Sequence, residues 1–337
     1  MNFVSVGDLS RFFTMRRASS GLRNDIQRLS QEVTTGIRAD VARHLGGNLH
    51  GLSHMERGLR EAEAYRLTTQ EAAATASGMQ AAFGTLQDIA DSSSVSMISD
   101  TSLAVEHTLL SVAATADSQL STAIAALNTN VGGRFLLSGT KSNTPPVVSP
   151  EELLAQAQSV ISGATNANEA VQLLKDWFNA SPGEDGFSDM AYKGSQNGGT
   201  SFGIDASNTI RFEQTANDAG ARNVLFGLTL GALVSRGAFG GEQTEQAIMM
   251  RAGGGALIEG NAQIALSRAD LGMSEQSIER ANIRLGSLST GLKIERSNLI
   301  SVDGYEAGSK LIQSEARLES LFALTARLSN LSLAKHL

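Results

Sequence analysis

Both ends of the chain carry a narrow apolar stripe at helical spacing. Near the N-terminus the stripe consists of Leu22, Ile26, Leu29 and Val33. Near the C-terminus it runs through Leu311, Ser314, Leu318, Leu321, Thr325 and Leu328. A stripe this narrow is typical of a coiled-coil seam rather than of the broad apolar face of a globular-domain helix. The pattern predicts partner helices within residues 1–40 and 303–337, and we expect an assembly interface that also includes Leu331 and Leu333.

The chain between these ends divides into helical stretches and one interruption. All four prolines fall between Pro145 and Pro182, and proline is excluded from helix interiors. Alternating apolar residues around 202–204 and 210–212, with turn-forming residues at 205–208, predict a β-hairpin. We therefore expect residues 41–139 and 241–302 to form two halves of a helical rod, with a small outward domain at 140–240.

These patterns predict a mainly α protein. The expected architecture is an elongated antiparallel helical bundle or coiled coil from both chain ends, with a small α/β or β-hairpin-containing middle domain. Apolar stripes in 71–131 and 275–300 are expected to pack on each other. Within 71–131, the serines at 92–94 are expected to break the helix, and Gly132-Gly133 to end it.

Composition argues against several classes of partner. The chain has 27 basic and 34 acidic residues, a net charge of −7. Nucleic acids and anionic membranes both favour a concentrated basic face, so neither is an expected partner. The chain lacks cysteine, which excludes disulfides and thiolate metal sites. The first fifteen residues lack the apolar stretch of a cleaved signal, and no run of 18 apolar residues predicts a membrane span.

Candidate chemical motifs are incomplete. His50 and His54 are four residues apart, but Gly51 stands where a zinc protease requires glutamate. Residues 138–141 read Ser-Gly-Thr-Lys, without the Gly-Lys-Ser/Thr order of a phosphate-binding loop. No nucleophile is paired with a base by a known motif. We therefore expect no catalytic, cofactor-binding or metal-binding residues.

Residues 29–38 read Leu-Ser-Gln-Glu-Val-Thr-Thr-Gly-Ile-Arg. This stretch is similar to the end of the N-terminal helix of the bacterial flagellin family, and with three others it resembles that family, including its hook–filament junction proteins. The others are Gly133 to Gly139, the Ala-Asn-Asp of 216–218, and 303–333 with its Ser-Leu ending. The chain departs from the family at 39–43, where the usual Asp-Asp-Pro-Ala is replaced by Ala-Asp-Val-Ala-Arg.

The resemblance implies a structural subunit rather than an enzyme. Such a subunit is exported unfolded through the flagellar secretion channel and assembles outside the cell, between hook and filament. The implied partners are copies of itself, a hook-side junction protein, flagellin and an export chaperone. Two alternatives stay open from the residues: a flagellin of the filament, and a cytosolic coiled-coil scaffold.

Overall fold

The computed structural model describes residues 6–100, 106–196 and 199–334, and side chains within 10–99, 106–196 and 199–328. The helices are α1 Val6–Thr35, α2 Val41–His44, α3 His50–Val95, α4 Glu106–Leu127, α5 Pro150–Ile161, α6 Ala167–Asn179, α7 Phe187–Met190, α8 Ala219–Ser235, α9 Gln243–Ile300 and α10 Gly304–Ala334. The strands are β1 Asn130–Val131, β2 Arg134–Phe135, β3 Thr200–Gly203 and β4 Thr209–Phe212. The mainly α prediction is confirmed. None of the described helices is long and apolar enough to cross a membrane.

The chain forms two compact units. One contains residues 1–62 and 286–337, that is, both ends of the chain, and the other contains residues 63–285. We call them the terminal unit and the central unit. The predicted five-segment division is finer than this partition and stays a prediction.

The core of the central unit is built on close contact between α8 and α9. Gly227 and Gly253 lie so close that a Cβ on Gly227 would be 2.6 Å from the Gly253 carbonyl oxygen, and one on Gly253 would be 2.7 Å from the Gly227 carbonyl oxygen. One heptad away, a Cβ on Gly260 would be 3.0 Å from the Gly220 carbonyl oxygen. Helix axes can approach this closely only where side chains are absent. α8 also packs on α4, α5 and α6, and it is buried along most of its length.

Polar side chains link α3 to α9 beside this core. The Gln80 amide donates to the Arg268 carbonyl oxygen at 2.9 Å, and Arg268 Nε donates to Gln80 Oε1 at 2.9 Å. One heptad along each helix, Gln87 donates to Asn261 at 2.9 Å. These half-buried pairs hold α3 and α9 at one register, because a slip of one residue would leave the amides without partners.

The middle of the chain contains two short hairpins. β3 and β4 pair antiparallel, with Phe202 opposite Ile210, as the alternation predicts. Gly132 and Gly133 do not end a helix directly; α4 ends at Leu127, and both glycines adopt positive φ in the turn that joins β1 to β2. That backbone conformation is the one required by a two-residue hairpin turn.

The predicted helix break lies slightly later than the serine run. α3 continues through residues 92–94 to Val95 and is followed by a π-helical turn at Ser96–Asp100. Ser92 and Ser94 instead bond back to carbonyl oxygens of the preceding turn. The Met97 side chain is fully buried and packs against Gly231 of α8 and Gly253 of α9.

The glycine contact yields a matched pair of substitutions on α9. Gly253→Ala places a methyl group against the Gly227 backbone, and we expect it to lower the free energy of unfolding by about 1–3 kcal/mol. Gly255 is helical and exposed, with open space around its Cα. Gly255→Ala should raise stability by up to about 1 kcal/mol through helix propensity. Urea unfolding of both variants tests this; equal effects would contradict the close approach.

Candidate assembly surface

The predicted seams lie against each other in the terminal unit. α1 packs antiparallel on α10, and Arg23 lies over the Phe322 ring at 5.7 Å from its centroid. The more buried residues of α1 include Met15, Ser19, Leu22, Ile26 and Leu29, besides Arg28 and Glu32 near its end. Those of α10 include Ala307, Leu311, Ser314, Leu318, Leu321 and Thr325, besides Gly308. The two first-named series alternate steps of three and four, which is the spacing of a coiled-coil seam.

Backbone hydrogen bonds close this helix pair at one end. α1 ends at Thr35, and Gly36 follows with a φ of +67°. The Val302 N–H donates to the Gly36 carbonyl oxygen at 3.0 Å, and the Arg38 N–H donates to the Ile300 carbonyl oxygen at 2.9 Å. The Thr-Thr-Gly-Ile-Arg segment at 34–38 therefore connects the end of α1 to the junction between α9 and α10.

Glu32 stabilises the same corner. It is only 4% exposed, and its Oε1 accepts the Ala39 N–H at 3.1 Å. Arg28 lies between two carboxylates, 3.0 Å from Asp25 and 3.5 Å from Glu32. The hydrogen bond to Asp25 is the main reason that the pKa of Arg28 is raised. A buried carboxylate is tolerated here because a backbone donor and a guanidinium group both face it.

The predicted interface residues differ in how far the α1–α10 pair covers them. Leu29 is buried at 4%, whereas Val33 and Leu328 remain 42% and 41% exposed. Leu22, Ile26, Leu311, Leu318 and Leu321 are half-buried. Leu331 and Leu333 have their backbone in α10, but their side chains lie outside the described part of the chain. Their role in assembly stays a prediction.

A groove between α1 and α10 was not foreseen from the sequence. It has a volume of about 510 Å³, and its walls include Phe12, Arg16, Arg23, Leu321 and Phe322. We call it the terminal groove. Phe12 is 62% exposed, although a phenylalanine gains about 1.5–3 kcal/mol from full burial. The spacing of Phe12 to Met15 and Ser19 continues the seam and was the available signal.

Further apolar side chains of the terminal unit face away from the seam. Tyr305 is 89% exposed and Ile312, seven residues later on α10, is 68% exposed. Two residues seven apart lie on one face of a helix. Two helices in contact can cover only one stripe each, so this outer face of α10 has no cover within the described chain.

The described residues form no metal or phosphate site at the motifs considered. His50 and His54 are exposed at the start of α3. Within the described ranges no three His, Cys, Asp or Glu side chains are grouped so as to hold a metal ion. Ser138 is buried, and its hydroxyl donates to the Phe135 carbonyl oxygen at 3.0 Å, so residues 138–141 belong to a packed turn.

Two solved structures of flagellar proteins match most of this chain. One is assigned as a flagellar hook-associated protein of Vibrio parahaemolyticus; the match has 14% identity and a TM-score of 0.43, covering 71% of this chain and 95% of that one. The other is FlgL of Bacillus cereus, with 12% identity and a TM-score of 0.41, covering 72% of this chain and 95% of that one. No protein-family model and no curated protein matches the chain.

Substitution of Glu32 tests the corner that closes the terminal unit. Glu32→Ala removes the acceptor of the Ala39 N–H and should weaken the α1–α10 closure by about 0.5–1.5 kcal/mol. Glu32→Gln retains an acceptor oxygen and serves as the control. Limited proteolysis should cleave α1 faster in the alanine variant and at a nearly unchanged rate in the glutamine variant. Identical cleavage rates for wild type and Glu32→Ala would mean that the corner does not depend on this side chain.

Proposed function

We propose that this chain is a structural subunit of the bacterial flagellum that joins hook to filament. It self-assembles through its paired terminal helices after export as an unfolded chain. The observation that carries the proposal is the terminal unit, where both chain ends meet in one helix pair that leaves large apolar side chains exposed. A surface of this kind is characteristic of an interaction site rather than of a free monomer.

The positions of the family-like motifs support the flagellar assignment. Thr34-Thr35-Gly36 ends α1 and joins the two chain ends. Leu136 and Leu137, within the Gly133–Gly139 stretch, are buried in the central unit. Asp218 precedes α8 and binds Thr215 through both carboxylate oxygens, at 3.1 and 2.9 Å. The resembling residues thus occupy the end of α1, a buried turn and the start of α8.

The α1–α10 pair of the terminal unit also fits export as an unfolded chain. In proteins most of the stability of a helix comes from tertiary packing of its apolar face. A seam that is only half-buried in the single chain provides little of that packing. The terminal unit can therefore open for passage and gain its remaining stability from neighbours. We place the protein outside the cell, with copies of itself, a hook-side junction protein and flagellin as neighbours. We also infer that an export chaperone binds the chain inside the cell before export.

The seam leucines of α10 give the direct test. Leu321→Asp or Leu328→Asp removes an apolar contact worth roughly 1.5–3 kcal/mol and introduces a carboxylate into it. Secretion of an unfolded chain need not sense the change. We expect normal export but no incorporation at the hook tip, measured by immunoblots of culture medium and of purified hooks.

Leu321→Met is the matched control, because it keeps the volume and apolar character of the side chain. It should export and assemble like wild type. Normal incorporation of both aspartate variants would contradict the seam hypothesis. Loss of export as well would indicate that α10 is recognised before assembly.

In a strain lacking the gene, electron microscopy should show hooks without filaments and flagellin shed to the medium; intact filaments would contradict the junction role.

A further inference from the structure

A second apolar surface lies on α9 in the central unit. Ile258, Leu266 and Met273 are 56%, 70% and 64% exposed. Ala262 and Ala269 are exposed between them. Steps of four, four, three and four residues place all five on one face of the helix, over a length of about 22 Å. We call these five residues the α9 ridge. The face of α9 that contacts α8 carries Gly253, Leu257, Gly260 and Ile264 and is separate from it.

The charges beside the α9 ridge are mainly negative. Residues 255–279 contain four carboxylates and one arginine. The arginine, Arg268, is already bonded to Gln80 on α3. Glu259 and Asp270 are exposed, and helical geometry places both along one flank of the ridge. A partner that covers the ridge is therefore favoured if it brings positive charge.

The terminal groove has the opposite character. Residues 10–24 of α1 contain four arginines and no acidic residue. Arg16 and Arg23 line the groove beside Phe12 and Phe322. The guanidinium of Arg23 lies over the Phe322 ring, so charge and apolar surface are presented together. The lining of the groove thus combines apolar and basic side chains.

We propose that the terminal groove of one copy receives the α9 ridge of a second copy. The inference rests on the proposed self-assembly and adds the pair of surfaces involved. Groove-to-groove contact would bring Arg16 and Arg23 against their equivalents, and ridge-to-ridge contact would do the same for Glu259 and Asp270. Only the mixed contact joins opposite charges while covering apolar surface on both sides.

A contact between two different surfaces has a consequence for the form of the assembly. After two copies pair, the copy that used its groove retains a free ridge, and the copy that used its ridge retains a free groove. Repetition therefore closes into a ring or continues as a helical array, depending on the rotation between successive copies. Both forms are compatible with a subunit placed between two tubular structures.

Site-specific cross-linking distinguishes the pairings, because the natural chain has no cysteine. Ser20→Cys places a thiol in the groove, and Ala269→Cys places one on the ridge. Full-length chains carrying one variant each, with tags of different mass, are mixed and treated with a short bis-maleimide. We expect the mixed product to exceed either same-variant product by about fivefold or more.

Charge reversal provides a second measurement on the same chains. Arg16→Glu with Arg23→Glu should lower self-association in sedimentation velocity by about tenfold, as should Glu259→Lys with Asp270→Lys. Mixing the two reversed chains should restore it. Arg17→Glu, outside the lining of the groove, and Glu279→Lys, on another face of α9, are the controls and should change self-association little. Leu266→Ser should also weaken association, whereas Leu67→Ser, an exposed leucine of α3, should not.

The outcomes separate this contact from the proposed function. Predominant groove–groove or ridge–ridge products, or cross-links confined to one chain when both cysteines are present, would overturn the mixed contact. Association without a mixed product or charge rescue would overturn it as well, while leaving seam-driven assembly intact. A chain that stays monomeric at every concentration would contradict both proposals.

Discussion

Two helices packed together bury only one stripe on each, and the α1–α10 pair of the terminal unit is limited by that geometry. Leu29 is fully covered between α1 and α10, yet Val33, Leu328 and Phe12 keep two-fifths or more of their surface in water. The corner at Gly36 and Val302 fixes the pairing by backbone hydrogen bonds, which do not depend on apolar burial. The terminal unit is therefore defined in register but only partly stabilised by its own residues, and additional helices can complete it.

The central unit buries its apolar surface in a different way. Its helices approach closely through Gly227 and Gly253, and Met97 fills the space beside these glycines. Together with α4, this arrangement buries α8 nearly completely. A chain with one unit that buries its own core and one incomplete unit suits a subunit whose terminal unit is completed by its neighbours during assembly.

The seams were predictable because a repeat of apolar residues at steps of three and four is visible in the sequence of one helix, whichever helix packs against it. For the same reason the sequence could not say whether Leu22 and Leu318 face the same chain or another copy; the structure places α1 on α10 of one chain. The packing role of Gly253 was not predictable. It depends on Gly227, 26 residues away in sequence, and no local pattern indicates that contact. The hairpin at 200–212 was predictable from alternation, whereas the turn at Gly132 required the strand partners on either side.

Hydrogen exchange of the full chain, measured by mass spectrometry as a monomer and after assembly, tests most directly whether the terminal unit is completed by its neighbours. In the monomer we expect amides of α1 and α10 to exchange much faster than those of α4 and α8, because few apolar contacts hold them. After assembly the amides of α1 and α10 should become as protected as those of α8. Strong protection of α1 and α10 already in the monomer, or no gain on assembly, would contradict this mechanism.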